Sequence, residues 1–252
     1  MRLIDLSVPF EANVFAEQFR LAVTPVPHEV SACQLAERFG ISSKAFPDSM
    51  ALAWEDISST FQAGTHMDAP YHFGPYLSGE KSRTIDQIPL EWFYGDGVVI
   101  DVRHVQPAAE ITAKNLDEGL KKINYTLKPF DIVLIMTGWD KYIYEPKYLQ
   151  EQPGMSREAT VWLLDRGIKV IGIDTCSFDR PFDVMAKAYK EGKPNALFPA
   201  HFVGREREYC HIEKLGNLDK IPIPQGFTVA AFPQSVKGGS AGALRPVAII
   251  DN

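Results

Sequence analysis

The stretch Gln62-Ala63-Gly64-Thr65-His66-Met67-Asp68-Ala69-Pro70-Tyr71-His72 packs two histidines and an aspartate into seven residues. The β-prone run Ile57 to Phe61 precedes it and a Pro/Gly-rich turn follows. Read as a continuing strand, with side chains alternating faces, it puts Gln62, Gly64, His66 and Asp68 on one face. Gly64 then leaves the space between Gln62 and His66 open for something to bind. A neutral imidazole and a hard carboxylate, two apart on one strand face, suit Zn²⁺, Mn²⁺ or Fe²⁺. Pro70 breaks the ladder and swings His72 back over the same site. The plainer alternative is a surface strand with chance polar residues.

Outward from this stretch, the chain reads as soluble and enzyme-sized. Its 252 residues suffice for one large α/β domain with a buried core. Apolar and charged contents of 45% and 23% are ordinary for such a domain. A net charge of −6, without a long Lys/Arg run, argues against a nucleic-acid footprint and a polybasic membrane patch. The N-terminus reaches Asp5 and Pro9 too early for a signal peptide, and no apolar run is long enough to span a membrane. Cys33, Cys176 and Cys210 are an odd set without C-x-x-C spacing, which predicts thiols in a reducing cytoplasm.

Arg2 to Pro9 reads as a first strand, and a short helical pattern surrounds Ser31 to Phe39. Two strands are expected between Ala51 and His66, then a structured loop at Arg83 to Leu90. From Gly97 the signals regularise. Val98–Val102, Asp131–Met136 and Lys169–Ile173 predict buried strands. Between them lie a helix capped by Thr112 through Lys122 and another capped by Ser156, from Arg157 to Arg166, with Gly167 beyond. Further strands are expected at Tyr209–Leu215, Phe227–Phe232 and Pro246–Ile250. The pattern predicts a sheet with covering helices. Without a linker or repeat, residues 1–252 read as a single domain.

Other residues carry weaker signals. His201 follows Phe198-Pro199-Ala200 in a loop, and Glu213 comes twelve residues later in Tyr209-Cys210-His211-Ile212-Glu213. His211 and Glu213 share a strand face, and spacing alone does not choose between them. His28 and His104 lack acidic neighbours at ligand spacing and read as surface or packed histidines. Cys176 lacks a nucleophile elbow and reads as a buried thiol. Trp139, Tyr142, Tyr144 and Tyr148 form either a lid or a packed loop edge. Gly238-Gly239-Ser240-Ala241-Gly242 lacks the Lys-Ser/Thr ending of a nucleotide loop.

Taken together, these residues resemble the cyclase family of metal-dependent hydrolases, which includes bacterial kynurenine formamidase, isatin hydrolase and polyketide cyclases. The signature H-x-G-T-H-x-D-x-P-x-H stands here as Gln62-x-Gly64-Thr65-His66-x-Asp68-x-Pro70-x-His72. Further matches are Ile4-Asp5-Leu6-Ser7, Thr137-Gly138-Trp139, Pro153-Gly154-Met155-Ser156, Gly172-Ile173-Asp174-Thr175, the His201/Glu213 pair and the glycine-rich stretch before Arg245. The resemblance implies a swivelling β/β/α domain, a mixed sheet with covering helices. It implies metal ligation by His66, Asp68, His201 and Glu213, so favouring Glu213 over His211, and an acid/base role for His72. Gln62 departs from the signature histidine and is expected to be a weak or absent ligand. That departure favours one divalent metal per subunit, Mn²⁺ or Zn²⁺, with a drift toward harder ions. The expected substrate is a small, aromatic amide, lactam or lactone contacted by Trp54, Trp139 and Phe73. Assembly as a homodimer or homotetramer is also implied. Two alternatives stand beside hydrolysis: aldol closure of a poly-β-ketone, suggested by Tyr71–Pro75 and Arg83–Trp92, and a non-catalytic ligand-binding relative.

Overall fold

A nine-stranded mixed sheet carries the protein, and the computed structural model describes residues 1–12 and 21–251 of it. In chain order its strands are β1 (Arg2–Asp5), β2 (His66–Asp68), β3 (Tyr94–Asp101), β4 (Ile132–Met136), β5 (Val170–Ile173), β6 (Cys210–Glu213), β7 (Gln225–Ala230), β8 (Ala241–Ala243) and β9 (Val247–Ile250). Across the sheet they run β1-β9-β7-β3-β4-β5-β6-β2-β8. The central strands β3 to β6 are parallel, and every pairing outside them is antiparallel. This is the α/β architecture the sequence predicts, with boundaries trimmed by a few residues.

Near-continuous apolar runs in the central strands follow from burial on both faces. On one face Val98, Ile100, Val133, Ile135 and Ile171 meet Leu116, Leu120 and Leu163 of the covering helices. On the other, Val99, Leu134, Met67 and Ile212 meet Ile4, Leu6, Ile85, Ile88 and Trp92. The loop at Arg83 to Leu90 is therefore structural: it supplies core residues.

Besides the one-turn helix Lys147–Gln150, the helices are α1 (His28–Phe39), α2 (Pro70–Phe73), α3 (Ala113–Lys122), α4 (Arg157–Leu164) and α5 (Phe182–Lys190). Thr112 and Asn115 form a reciprocal capping box at the start of α3. The Ser156 hydroxyl accepts the Ala159 N–H at 3.0 Å and starts α4, which ends two residues before the expected Arg166. Helix α5, absent from the sequence reading, buries little beyond Met185 and Ala188, so its apolar pattern is weak. Among the described residues no helix is long and apolar enough to cross a membrane.

The organising stretch is the main correction. Residues 62 to 65 form a turn, and β2 begins only at His66. Gly64 adopts φ +63°, and a Cβ there would meet the Phe10 ring at 2.9 Å. The missing side chain therefore admits a left-handed turn and the Phe10 ring, not a ligand. The preceding strand, Trp54–Ser58, belongs to a separate two-stranded ribbon with Ala22–Val26. Gly239 and Ser240 are likewise structural, since their carbonyls accept the Ile85 and Ala69 N–H groups beside edge strand β8.

Two of the sequence matches meet at the carboxyl ends of the parallel strands. Asp174, just past β5, accepts the Thr137 and Gly138 N–H groups at 2.9 and 2.7 Å, and also the Thr137 hydroxyl. Burial pushes the Asp174 carboxyl up to about 7; the Thr137 hydrogen bond opposes this and the Asp140 charge adds to it. Since this lies above the ordinary 3.8, the native state holds the proton more tightly than the unfolded chain. The stabilisation is complete below about pH 4 and is lost as pH rises through about 7. Unfolding free energies from urea titration are expected to fall more steeply between about pH 5 and pH 8 in the native protein than in Asp174→Asn, by as much as about 3 kcal/mol. Parallel pH profiles would refute this account.

Candidate active site

One register assembles the site. Strands β2 and β6 run antiparallel, with His211 opposite Asp68 and Glu213 opposite His66. Met67 and Ile212 face the opposite core, so the four polar side chains converge on the helix-covered face. On the other side of β2 the paired positions are Ala241 and Ala243, too small to fill the space. The cluster is deeply buried: His211 is fully enclosed and Glu213, the most open of the four, is 6% exposed.

His201 comes from a short turn and completes the group. The Asp179 carboxylate accepts the Ala200 and His201 N–H groups at 2.8 and 3.1 Å and contacts His201 Nδ1 at 2.6 Å. That contact fixes the ring and turns Nε2 to within 3.4 Å of Glu213 Oε1. Asp68, His201, His211 and Glu213 each offer one ligand atom, all within 4.8 Å of one another. His66 joins from β2: its Nδ1 donates to the Gly64 carbonyl at 3.0 Å, and Nε2 lies 3.5 Å from both Asp68 Oδ2 and Glu213 Oε2.

Charge is balanced inside the cluster. Burial favours neutral Asp68, yet the His66 and His72 charges and hydrogen bonds from His211 and His66 hold it well below the carboxylate range. Glu213 feels the same opposition from burial, but the His211 hydrogen bond and the His201 charge bring it down to about 2. Burial opposes charge on His211, yet hydrogen bonds to Asp68 and Glu213 raise it to about 9. Its Nε2 lies 3.1 Å from Asp68 Oδ2 and 3.4 Å from Glu213 Oε1. Two buried atoms, His66 Nε2 and Asp68 Oδ1, still lack hydrogen-bond partners. Buried polar atoms rarely go unpaired. The carboxylate and imidazole donors suit a divalent cation, and the orphaned atoms fit one.

Pro70 opens α2 at its first position, and this one-turn helix brings His72 back toward Asp68. His72 Nδ1 lies 3.9 Å from Asp68 Oδ1, and its side chain is 31% exposed. Burial lowers its pKa; the Asp68 charge opposes this, and the His201 and His211 charges add to it. A cavity of about 450 Å³ opens here, lined by Gln62, Asp68, His72, Cys176, Ser177, Phe198, His201, Glu213, Lys214 and Ser240. A larger hollow of about 780 Å³ borders Asp5, Asp140, Asn217 and Arg245. Its acids are already engaged, Asp5 with Arg245 and Asp140 with the Asn217 N–H, so it offers weaker chemistry.

The structure thus brings together His66, Asp68, His72, His201 and Glu213, with Gln62 at the rim. The Gln62 amide donates to Ser240 Oγ at 3.3 Å. His211, which the resemblance set aside, stands in the cluster beside Glu213. The three expected aromatic contacts fall elsewhere. Phe73 is 1% exposed and stacks on Tyr209 behind the histidines. Trp139 donates to the Lys147 carbonyl and packs edge-on against Tyr142, in a loop edge containing fully buried Tyr148. Trp54 lies on the ribbon and is not among the residues lining the cavity. His28 and His104 are exposed and bond to the Ala51 carbonyl and Asn115. None of the three cysteines forms a disulfide. Asp179 and Lys214 went unread: an Asp in an irregular loop and a Lys after a strand carry no periodic signal.

Comparisons with known proteins place the chain by family and fold. A family model described as "Putative cyclase" matches residues 4–180, which include His66, Asp68 and His72. Isatin hydrolase of Roseibium aggregatum is 23% identical over 215 residues, 81% of this chain and 77% of that protein. Kynurenine formamidase of Paracidovorax citrulli is 26% identical over 196 residues, 73% of this chain and 74% of the relative. Among solved structures, isatin hydrolase A from Labrenzia aggregata bound to benzyl benzoate aligns with a TM-score of 0.76. That match covers 100% of this chain and 94% of that one, at 23% identity.

Removing the carboxylate that holds His201 is expected to weaken Zn²⁺ or Mn²⁺ binding about 10–100-fold in Asp179→Asn, measured by competition with a chromophoric chelator. Gly154→Ala should act the same way from outside the cluster. A Cβ there would lie 2.2 Å from both Asp179 C and Arg180 N, so that backbone has to move. Native affinity in both variants would show that Asp179 does not position the ring.

Proposed function

Because the chain belongs to the cyclase family, we propose that it is a metal-dependent hydrolase opening a small amide, lactam or lactone. One observation carries this reading: the unpaired His66 Nε2 and Asp68 Oδ1 face a buried His/Asp/Glu cluster, beside a solvent-reachable histidine. Asp68, His201, His211 and Glu213 would hold one divalent ion, with His66 at its edge and Gln62 not required. The mixed nitrogen and oxygen donors suit Zn²⁺ or Mn²⁺. When bound, the ion supplies Lewis acidity that polarises an acyl oxygen and lowers the pKa of water to about 7.

The chain's own residues do the rest. His72, kept neutral near pH 7 by its lowered pKa, takes the proton of the attacking water. Asp68 Oδ1, 3.9 Å from His72 Nδ1, favours the protonated ring that results. That ring returns the proton to the departing nitrogen or oxygen. Asp179 and the Phe178 N–H, which donates to Glu213 Oε1 at 2.7 Å, keep the cluster from collapsing onto the substrate. The 450 Å³ cavity fits a one- or two-ring substrate better than an extended poly-β-ketone, which supports hydrolysis over aldol closure. Assembly as a homodimer or homotetramer is part of the proposal, supported by exposed Leu52, Ile57 and Phe61 on and beside the ribbon.

His72→Asn is expected to lower kcat by about 10²–10⁴-fold on an activated aryl ester or N-formyl aniline while metal per chain stays native. Full turnover in His72→Asn, or in protein stripped of metal by chelation, would sink the mechanism. Metal binding has its own signature. A divalent ion displaces the proton that His211, at about 9, carries at neutral pH. Below that pH, apparent affinity should rise about tenfold per pH unit. Calorimetry in buffers of different ionisation enthalpy should report about one proton released per ion; a pH-independent affinity would contradict the assignment.

A further inference from the structure

We infer that Arg205 is the positioning residue of His72, holding from outside the cavity the one-turn helix that carries it. The inference rests on the acid/base role proposed for His72 and adds the contact that sets where that ring stands.

Helix α2 is four residues long, too short to keep its shape in water without outside contacts. Backbone bonds tie its beginning. The Tyr71 N–H donates to the Arg83 carbonyl at 3.0 Å, and the His72 N–H to the Ala69 carbonyl at 2.8 Å. Its far end lacks such a tie, because the chain leaves through Gly74 in an extended conformation. The last carbonyls of a helix have no partner within it, and Arg205 supplies one. Its Nε donates to the carbonyl of Phe73, the last residue of α2 and the neighbour of His72, at 2.6 Å. Hydrogen bonds from a charged donor are stronger than neutral ones. Stacking aims the guanidinium: its Cζ lies 3.7 Å from the Phe202 ring centroid. Phe202 stands three residues earlier on the turn His201–Arg205, a 3₁₀ spacing at which side chains eclipse.

Two glycines let the elements interlock. A Cβ on Gly204 would lie 2.0 Å from Phe73 Cδ2, so the Phe73 ring seats directly on the turn beside Arg205. A Cβ on Gly74 would lie 3.2 Å from Arg205 Cγ and 3.3 Å from its Nε, so the arginine lies across the backbone beside Phe73. Each neighbouring pair grips the other. The turn also begins with His201, whose ring centroid lies 5.7 Å from that of His72. Arg205 therefore ties the solvent-reachable histidine to the same turn that carries a buried histidine of the cluster. Arg205 itself is exposed and is not among the residues lining the cavity. It acts through α2, not on a ligand.

Amide hydrogen exchange, read by mass spectrometry on the full-length chain without added metal, measures the tether independently of turnover. Arg205→Met is expected to speed exchange in peptides covering residues 70–74 about tenfold and to leave β2 at native rates. Kinetics of the metal-loaded chain on the activated aryl ester give the second reading. Arg205→Met should lower kcat about tenfold while KM and metal per chain stay native. The same substitution should cost nothing further once His72 is already Asn. Arg205→Lys, which keeps a cationic donor, should fall between native and Arg205→Met in both readings. Native exchange at residues 70–74 or native kcat in Arg205→Met overturns the inference, as does a Lys variant no better than Met. A kcat loss equally large in the His72→Asn background overturns it too, since that marks a merely structural role. A native chain that binds metal and leaves the ester intact strikes the acid/base reading instead, and exchange alone then decides the tether.

Discussion

The site depends on a single register, the antiparallel pairing of β2 with β6 that opposes His211 to Asp68 and Glu213 to His66. A slip of one residue would exchange the faces of every side chain. Met67 and Ile212 would enter the cavity, and the ionisable groups would enter an apolar core made by Leu6, Ile85 and Leu134. The apolar positions therefore fix the polar ones. Beyond the register, Phe178 stacks on His211 with ring centroids 4.3 Å apart and closes the cluster from water.

Burying two carboxylates side by side demands positive charge from somewhere. Within the chain His211 supplies it, its pKa raised, against burial, by its place between Asp68 and Glu213, with His66 raised by the same two carboxylates. That proton serves only part of the cluster. It leaves Asp68 Oδ1 and His66 Nε2 without hydrogen-bond partners, although each is an acceptor when His66 donates through Nδ1 to Gly64. Orphaned acceptors pointing into one acidic hollow are what a second, more highly charged cation would satisfy. Proton and divalent ion are thus alternative occupants of one electrostatic well, and their competition follows from the burial that isolates it.

How much of this was legible in the sequence depended on periodicity. The central strands and the helix starts at Thr112 and Ser156 were readable because apolar runs and capping hydroxyls act locally. His66 and Asp68 were assigned to one face correctly, since both lie inside a real strand. Gln62 and Gly64 were assigned wrongly, because a left-handed turn at Gly64 interrupts the alternation just before it. His211 shares its strand face with Glu213, as the spacing predicts, and both side chains stand in the cluster, because the register with β2 sets each opposite a polar residue. Asp179 was invisible for a different reason: it acts on His201 from 22 residues away, and no local pattern encodes that contact. The aromatic residues misled because bulk suits them to pack behind a site as well as within one. Phe73 does the former, supporting the rings of His211 and His201.

The places where alternation breaks down also divide the labour of the site. His66, Asp68, His211 and Glu213 sit on strands, nearly enclosed, with rotamers fixed by neighbours across the sheet. Groups so rigid suit an ion with strict geometric demands. Gln62, His72 and Lys214 sit just beyond strand ends, on a turn, a one-turn helix and a left-handed residue. They face the open cavity, where His72 keeps 31% of its side chain exposed. A proton-transferring group needs such access, since it must exchange with solvent between turnovers. Strand-borne residues therefore build the fixed centre, and turn-borne residues meet what comes and goes. Substitutions among the second set can change the substrate while leaving the β2–β6 register, and the cluster it creates, intact.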